Sequence, residues 1–301
     1  MEIRGKTALV LGGTRGIGRA TVLALARAGA RLIIPWYDWP EDVQSLGDAL
    51  SGMGADHLLH HADLRDPEHI NLLARIARDR WETIEILINT IERGGMPVVH
   101  GAYTPEQWDI EIDTTLTAKW RVVNKMLPLM KVAPEGVVVT LSSIAGLVGR
   151  CGPAGLIFND GYAAANAGIG SFTRTWARLG APSVRVVELM LGFIETRHAV
   201  GTRGWGLLSE DQRQAIRSHT LVGRTGTVDE VVRTIFFLIQ DATFMTGATL
   251  CLDGGYLLGG EDIPPLPGSA GDLDIKLPPE GEGPRPQASS SSTQSGIRRN
   301  T

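Results

Sequence analysis

The residues with the clearest chemistry stand near the start of the chain, in the run Gly12-Gly13-Thr14-Arg15-Gly16-Ile17-Gly18. Before it, Lys6 to Leu11 (K-T-A-L-V-L) is a short apolar run suited to a buried parallel strand. After it, A-T-V-L-A-L-A-R-A-G-A repeats its apolar members at helical spacing. Strand, glycine turn and helix in that order place main-chain N–H groups at a helix N-terminus, where a pyrophosphate binds. Glycine is required because a Cβ would block both the tight turn and the approach of the phosphates. The chemistry predicted is dinucleotide binding, with a glycine turn that holds no ligand as the alternative. An acidic side chain at the end of the second strand, Ala30 to Ile34, would bond the ribose 2′-hydroxyl of NAD. The residue in that register is Trp36, with Asp38 two positions on.

These residues need a scaffold, and the rest of the chain describes one. Strand-like and helix-like segments alternate along 301 residues of 43% hydrophobic content, which predicts an α/β fold: a single doubly wound Rossmann-type domain, a parallel sheet flanked by helices. The domain is expected over 1–260. Beyond Gly260 the composition turns to Pro, Gly and Ser, so 261–301 reads as a disordered tail too poor in apolar residues to offset the entropy of ordering. A net charge of -4 without a basic cluster excludes nucleic acid as an expected partner. Cys151 and Cys251 give no disulfide framework and no metal spacing. No apolar stretch reaches about 18 residues, and the N-terminus runs straight into the first strand. A soluble, cytoplasmic protein with no membrane partner is expected.

Several separated motifs resemble the short-chain dehydrogenase/reductase family over about residues 3 to 260. Gly12, Gly16 and Gly18 match its Thr-Gly-x-x-x-Gly-x-Gly signature, with Leu11 in place of Thr. Tyr162-Ala-Ala-Ala-Asn166 stands where the family has Tyr-x-x-x-Lys, and Ser143 closes the apolar run V-V-V-T-L-S-S. The resemblance implies that Tyr162 is the general acid for carbonyl reduction and that Ser143 orients the carbonyl oxygen. Arg15 resembles the basic residue that NADP-preferring members set against the 2′-phosphate, a task suited to a guanidinium; a solvated surface arginine is the alternative. NADP(H) is therefore expected over NAD(H). The implied cofactor contacts are Gly12, Thr14, Arg15, Gly16, Ile17, Gly18, Tyr37, Asp63, Leu64, Asn89, Asn166, Gly192, Ile194 and Thr196. Asp63 either receives the adenine amino group or caps the helix that D-P-E begins. The segment Arg197 to Ser218 corresponds to a mobile lid, in which Trp205, Leu207 and Leu208 suggest an apolar or ring-containing carbonyl substrate or simply a packed lid. A homotetramer, with a homodimer second, is the implied assembly.

Three departures set this chain apart. Asn89 alone survives of the family's Asn-Asn-Ala-Gly, followed by Thr90, Ile91 and Glu92. Thr115 replaces the Asn that holds a water in the proton relay, and its shorter hydroxyl requires a rearranged relay. Asn166 can retain a ribose hydrogen bond but supplies no charge to lower the pKa of Tyr162, which is about 10 when unperturbed. Lys119, four residues after Thr115 on the same helical face, could supply the missing cation, with a solvent or subunit-contact face as the favoured reading. Nineteen positions separate Ser143 from Tyr162, longer than the family's spacing, with the surplus in a Gly-rich loop. Two functions follow: an atypical carbonyl reductase using Tyr162 and Ser143, or a protein of this fold that binds cofactor without ordinary hydride chemistry.

Overall fold

The computed structural model of the chain describes residues 1–92, 104–196 and 205–260. The proposed tail at 261–301 and the first part of the lid, 197–204, lie outside the described residues.

Apolar runs at the expected places form a parallel sheet. Its strands are β1 (Thr7–Leu11), β2 (Arg31–Trp36), β3 (His57–His61), β4 (Ile86–Asn89), β5 (Gly136–Ser143), β6 (Val184–Leu191) and β9 (Ala248–Leu252), in the order β3-β2-β1-β4-β5-β6-β9. The order reverses on either side of β1, the switch point at which open α/β sheets leave a crevice beyond their carboxyl ends. Strand β2 runs two residues past the expected end. Its pairing with β1 stops at Leu9↔Ile33, so Pro35, which has no N–H, sits where only β3 continues the ladder to Trp36↔His61.

Helices cover both faces. α1 (Gly16–Arg27), α2 (Pro40–Gly52) and α9 (Val228–Gln240) bury Val22, Leu25, Leu46, Leu50, Ile235 and Leu238 against Val10, Ile34 and Val139. On the other face α3 (Pro67–Trp81), α5 (Ala118–Met130) and α7 (Asp160–Gly180) pack Leu73, Val122, Met126 and Trp176 against Leu9, Leu11 and Val138. Adjacent strand residues thus serve opposite cores, which explains why these strands read as continuous apolar runs. The Asp66 carboxylate accepts from the Glu68 N–H and caps α3, so the capping role falls to Asp66 and not to Asp63.

Two local features set the far end of the crevice. α4 (Pro105–Ile112) passes into α5 through a π turn, Asp113–Thr117, in which the Ala118 N–H reaches back five residues to the Asp113 carbonyl. A short helix, α6 (Ala145–Val148), and a 3₁₀ turn, Pro153–Leu156, occupy the Gly-rich stretch that lengthens the Ser143–Tyr162 spacing. β7 (Ile194–Glu195) pairs with β8 (Gly226–Thr227), and α8 (Glu210–His219) forms the second part of the predicted lid.

Candidate active site

A cavity of about 460 Å³ lies along the carboxyl ends of β1, β2, β4, β5 and β6. Of the residues singled out from the sequence, Gly12, Thr14, Arg15, Gly16, Ile17, Gly18, Tyr37, Asp63, Leu64, Ser143, Tyr162, Asn166, Gly192, Ile194 and Thr196 line it. Asn89 and Thr115 do not. Asn89 is fully buried at the end of β4, with neither side-chain polar atom paired among the described residues. Thr115 is fully buried and donates its hydroxyl to the Glu111 carboxylate at 2.7 Å. The relay position is therefore turned away from the cavity wall.

At the glycine turn, Gly12 has φ +73° and a Cβ on Gly18 would stand 2.1 Å from the Gly12 carbonyl oxygen, so the strand end and the helix start touch backbone to backbone. Thr90, on the loop after β4, donates to the Leu11 carbonyl at 2.7 Å and ties this turn to the neighbouring strand. No side chain caps α1 and no acidic residue occupies its first turn, which suits an anion at that N-terminus. A Cβ on Gly16, φ +52°, would meet nothing within 4 Å, leaving open space for a pyrophosphate against the backbone. This cradle fits a dinucleotide.

Two guanidiniums flank the end of the cavity at β2 and β3. Arg15 pairs with Asp42 at 2.8 Å and stacks over Trp39 at 4.3 Å. Arg65 grips Asp63 at 2.7 Å and lies over Tyr37, which stacks on His61. The hydrogen bonds from Arg65 hold the Asp63 carboxyl below its ordinary pKa, so a carboxylate faces the cavity. Trp36 stands at the acidic-selector position, and Asp38 also lines the wall.

The chemical end is assembled from more distant elements. The Ser143 Oγ accepts from the Ala145 N–H at 3.2 Å, leaving its own proton for another acceptor. Tyr162 lies in the first turn of α7, where the Asn159 side chain accepts its N–H at 2.7 Å. Its ring stacks on Phe158, which stacks on Phe193. The lengthened loop thus supplies Ile157 and Phe158 to the cavity wall. Trp205 and Leu208 instead bury in an apolar cluster with Phe193 and Tyr256, so these two lid residues serve packing rather than the cavity surface. Asn166 donates from its amide to the Tyr162 carbonyl at 2.9 Å, bonding one N–H back within its own helix.

Lys119 corrects the sequence reading. It is 1% exposed, lines the cavity, and donates from Nζ to the Leu141 carbonyl at 2.7 Å. Lys119 stands two residues past the π turn, at the start of α5, and reaches the Leu141 carbonyl on β5, while Thr115 inside the turn is held by Glu111. Burial lowers the Lys119 pKa to about 8, opposed by the charges of Glu92, Glu188 and Glu111. Glu92, standing where the resemblance has a glycine, lines the same cavity. A helical lysine pattern carries no signal of this placement; only a pocket-facing turn reveals it.

A family model described as enoyl-(acyl carrier protein) reductase matches residues 12–257. The chain is 32% identical over 262 residues to 3-oxoacyl-(acyl-carrier-protein) reductase FabG of Escherichia coli (strain K12), covering 86% of this chain and all of that protein. It is 30% identical over 265 residues to D-beta-hydroxybutyrate dehydrogenase of Rhizobium meliloti (strain 1021), covering 83% and 98%. The solved structure of gox2181 superposes with a TM-score of 0.74 at 28% identity, covering 85% of this chain and 98% of that one.

Proposed function

The chain belongs to the short-chain dehydrogenase/reductase family, and from that premise we propose that it is an NADP(H)-dependent carbonyl reductase of atypical type. The observation that carries this reading is convergence. The glycine cradle, the Ser143 hydroxyl and the Tyr162 ring, drawn from three parts of the chain, line one cavity. The names of its relatives, a 3-oxoacyl reductase and a hydroxybutyrate dehydrogenase, support keto/hydroxyl oxidoreduction. When bound, a reduced nicotinamide dinucleotide supplies the hydride.

The chain's own residues handle the carbonyl. Ser143 donates a hydrogen bond to the carbonyl oxygen, keeping its own proton, and fixes that oxygen's direction while negative charge develops there. Tyr162 gives its phenolic proton to that oxygen, and reduction suits a phenol that starts neutral. Phe158, Ile157 and Phe193 present an apolar, aromatic wall beside Tyr162, which supports a ring-containing or otherwise apolar carbonyl substrate. At the far end the guanidinium of Arg15 on the cavity wall, with Trp36 presenting no carboxylate to repel a 2′-phosphate, supports the NADP(H) preference.

A homotetramer, with a homodimer second, is the proposed assembly, supported by the exposed apolar side chains Trp120, Leu179, Phe237 and Phe244. No helix among the described residues is long and apolar enough to cross a membrane. A cytoplasmic setting is supported by the free thiols Cys151 and Cys251. The second reading, a cofactor-binding protein without redox activity, draws on Thr115 turning from the cavity and on Asn166 lacking charge. Calorimetric titration with NADPH and NADH, followed by loss of NADPH absorbance over a panel of ketones and quinones, separates the two. Tight NADPH binding with turnover supports the reductase; tight binding with no turnover on any panel member supports the second reading.

A further inference from the structure

Lys119 is a buried cation that enters the cavity from a helix far in sequence from Tyr162. Its ammonium donates to the carbonyl of Leu141, two residues before Ser143 on β5. At about 3.3 Å per strand residue, that places the carbonyl roughly 7 Å along the strand from Ser143. β4 ends at Asn89, paired with Thr140, so Leu141 lies just past the last β4 pairing, at the point where the sheet opens into the cavity. Among the described residues no carboxylate lies within ion-pairing distance of the Lys119 ammonium. A buried, hydrogen-bonded ammonium not neutralised at contact projects its charge into a region of low dielectric.

The charged groups around it are identifiable on each packed element. Glu92 stands on the loop after β4, Glu111 on α4 and Glu188 on β6. Two of these carboxylates have other hydrogen bonds: Glu188 accepts from Ser142 at 2.5 Å and from Thr249 at 2.6 Å, and Glu111 accepts from Thr115. Tyr162 on α7 and Ser143 on β5 complete the polar lining at this end, with Asn166 uncharged beside them.

We propose that Lys119 is the positioning cation of this site, acting on the Tyr162 phenol from α5 in place of a charge at position 166. The inference rests on the reductase reading for its purpose. As the substrate carbonyl carbon gains hydride from the reduced nicotinamide dinucleotide, the carbonyl oxygen takes the Tyr162 proton. The phenolate left behind is stabilised by the Lys119 ammonium until solvent returns a proton. The Glu92 carboxylate, in the same cavity, holds the ammonium charged before the phenolate forms. Two departures from the family pattern, a Glu after β4 and an Asn on α7, thereby belong to one rearranged charge system.

The test reads the phenol and not turnover, so it stands apart from the reductase reading. Comparison of ring-labelled wild type with Tyr162→Phe assigns one of four tyrosine signals. The diagnostic change lies below the phenol's own titration, because Lys119 loses its proton near pH 8 and is neutral when a tyrosine of ordinary pKa, about 10, ionises. In the wild type the Tyr162 ring signal is expected to show an inflection near pH 8 by nuclear magnetic resonance. A wild-type trace without it overturns the proposal, whatever the enzyme's activity. In folded Lys119→Met the inflection is expected to vanish, and its persistence overturns the proposal equally. Absence of turnover in a wild type that shows the coupling overturns the reductase reading alone.

Discussion

The two ends of the cavity are built on opposite plans. At the phosphate end seven consecutive residues, Gly12 to Gly18, provide the turn and the start of α1, and the donors are main-chain N–H groups. At the other end Lys119, Leu141, Ser143, Phe158, Tyr162 and Asn166 arrive from three separate stretches of chain. The departures from the family pattern at positions 92, 115 and 166 all fall on the second plan. A cradle of backbone groups tolerates any side chain that leaves the glycines in place, so its glycines persist although Leu11 stands in place of Thr. A proton-handling site depends on charge at a point, and that charge can be delivered from a different helix.

The strongest way to break this contrast is to remove the phenol. Tyr162→Phe should lower turnover by about 10²–10⁴-fold, the worth of a positioned general acid, while calorimetry finds NADPH affinity held. Loss of affinity alongside would show that the two ends are not separable.

Next comes pH. The Lys119 pKa in the folded chain, about 8, lies below its ordinary value of 10.5, so between those values the native state binds fewer protons than the unfolded state. Stability relative to Lys119→Met should therefore rise as pH climbs from about 8 toward 10.5, by on the order of 3 kcal/mol, in parallel denaturant series. The reduction rate should fall over the same climb, because the phenolate loses its counter-charge. A flat stability difference would place Lys119 in water.

Smaller in free energy is Gly18→Ala, whose Cβ would press on the Gly12 carbonyl. A cost of about 1–3 kcal/mol in urea unfolding is expected, with NADPH binding lost, since strand end and helix start must separate. Binding retained at full strength would refute the backbone cradle. The smallest effect belongs to Arg15→Ala. Arg15 is partly exposed and already pairs with Asp42, so the preference for NADPH over NADH should drop by no more than about tenfold. No change in that ratio would assign the selection to Arg65 and Tyr37.

Sequence alone determined the sheet, the glycine turn, Ser143 and Tyr162, because each is a local signal: a continuous apolar run between two packed faces, glycines where no Cβ fits, and a hydroxyl at a strand end or helix start. Local chemistry also offered a cap for α3, at Asp63 as the alternative to an adenine contact, whereas the structure gives it to Asp66. Tertiary structure alone decided which residues meet. Thr115 and Lys119 look like one helical face at four-residue spacing, yet Glu111 holds the first and the Leu141 carbonyl on β5 holds the second at the cavity, partners that no residue type announces. Trp205 read equally as a substrate contact or as lid packing, and burial against Phe193 and Tyr256 made it core, while Phe158, in the Gly-rich loop noted only for its length, became the wall. The physical reason is common to these cases: periodicity reports a residue's direction from its own axis, while contact depends on where a second, distant element lies.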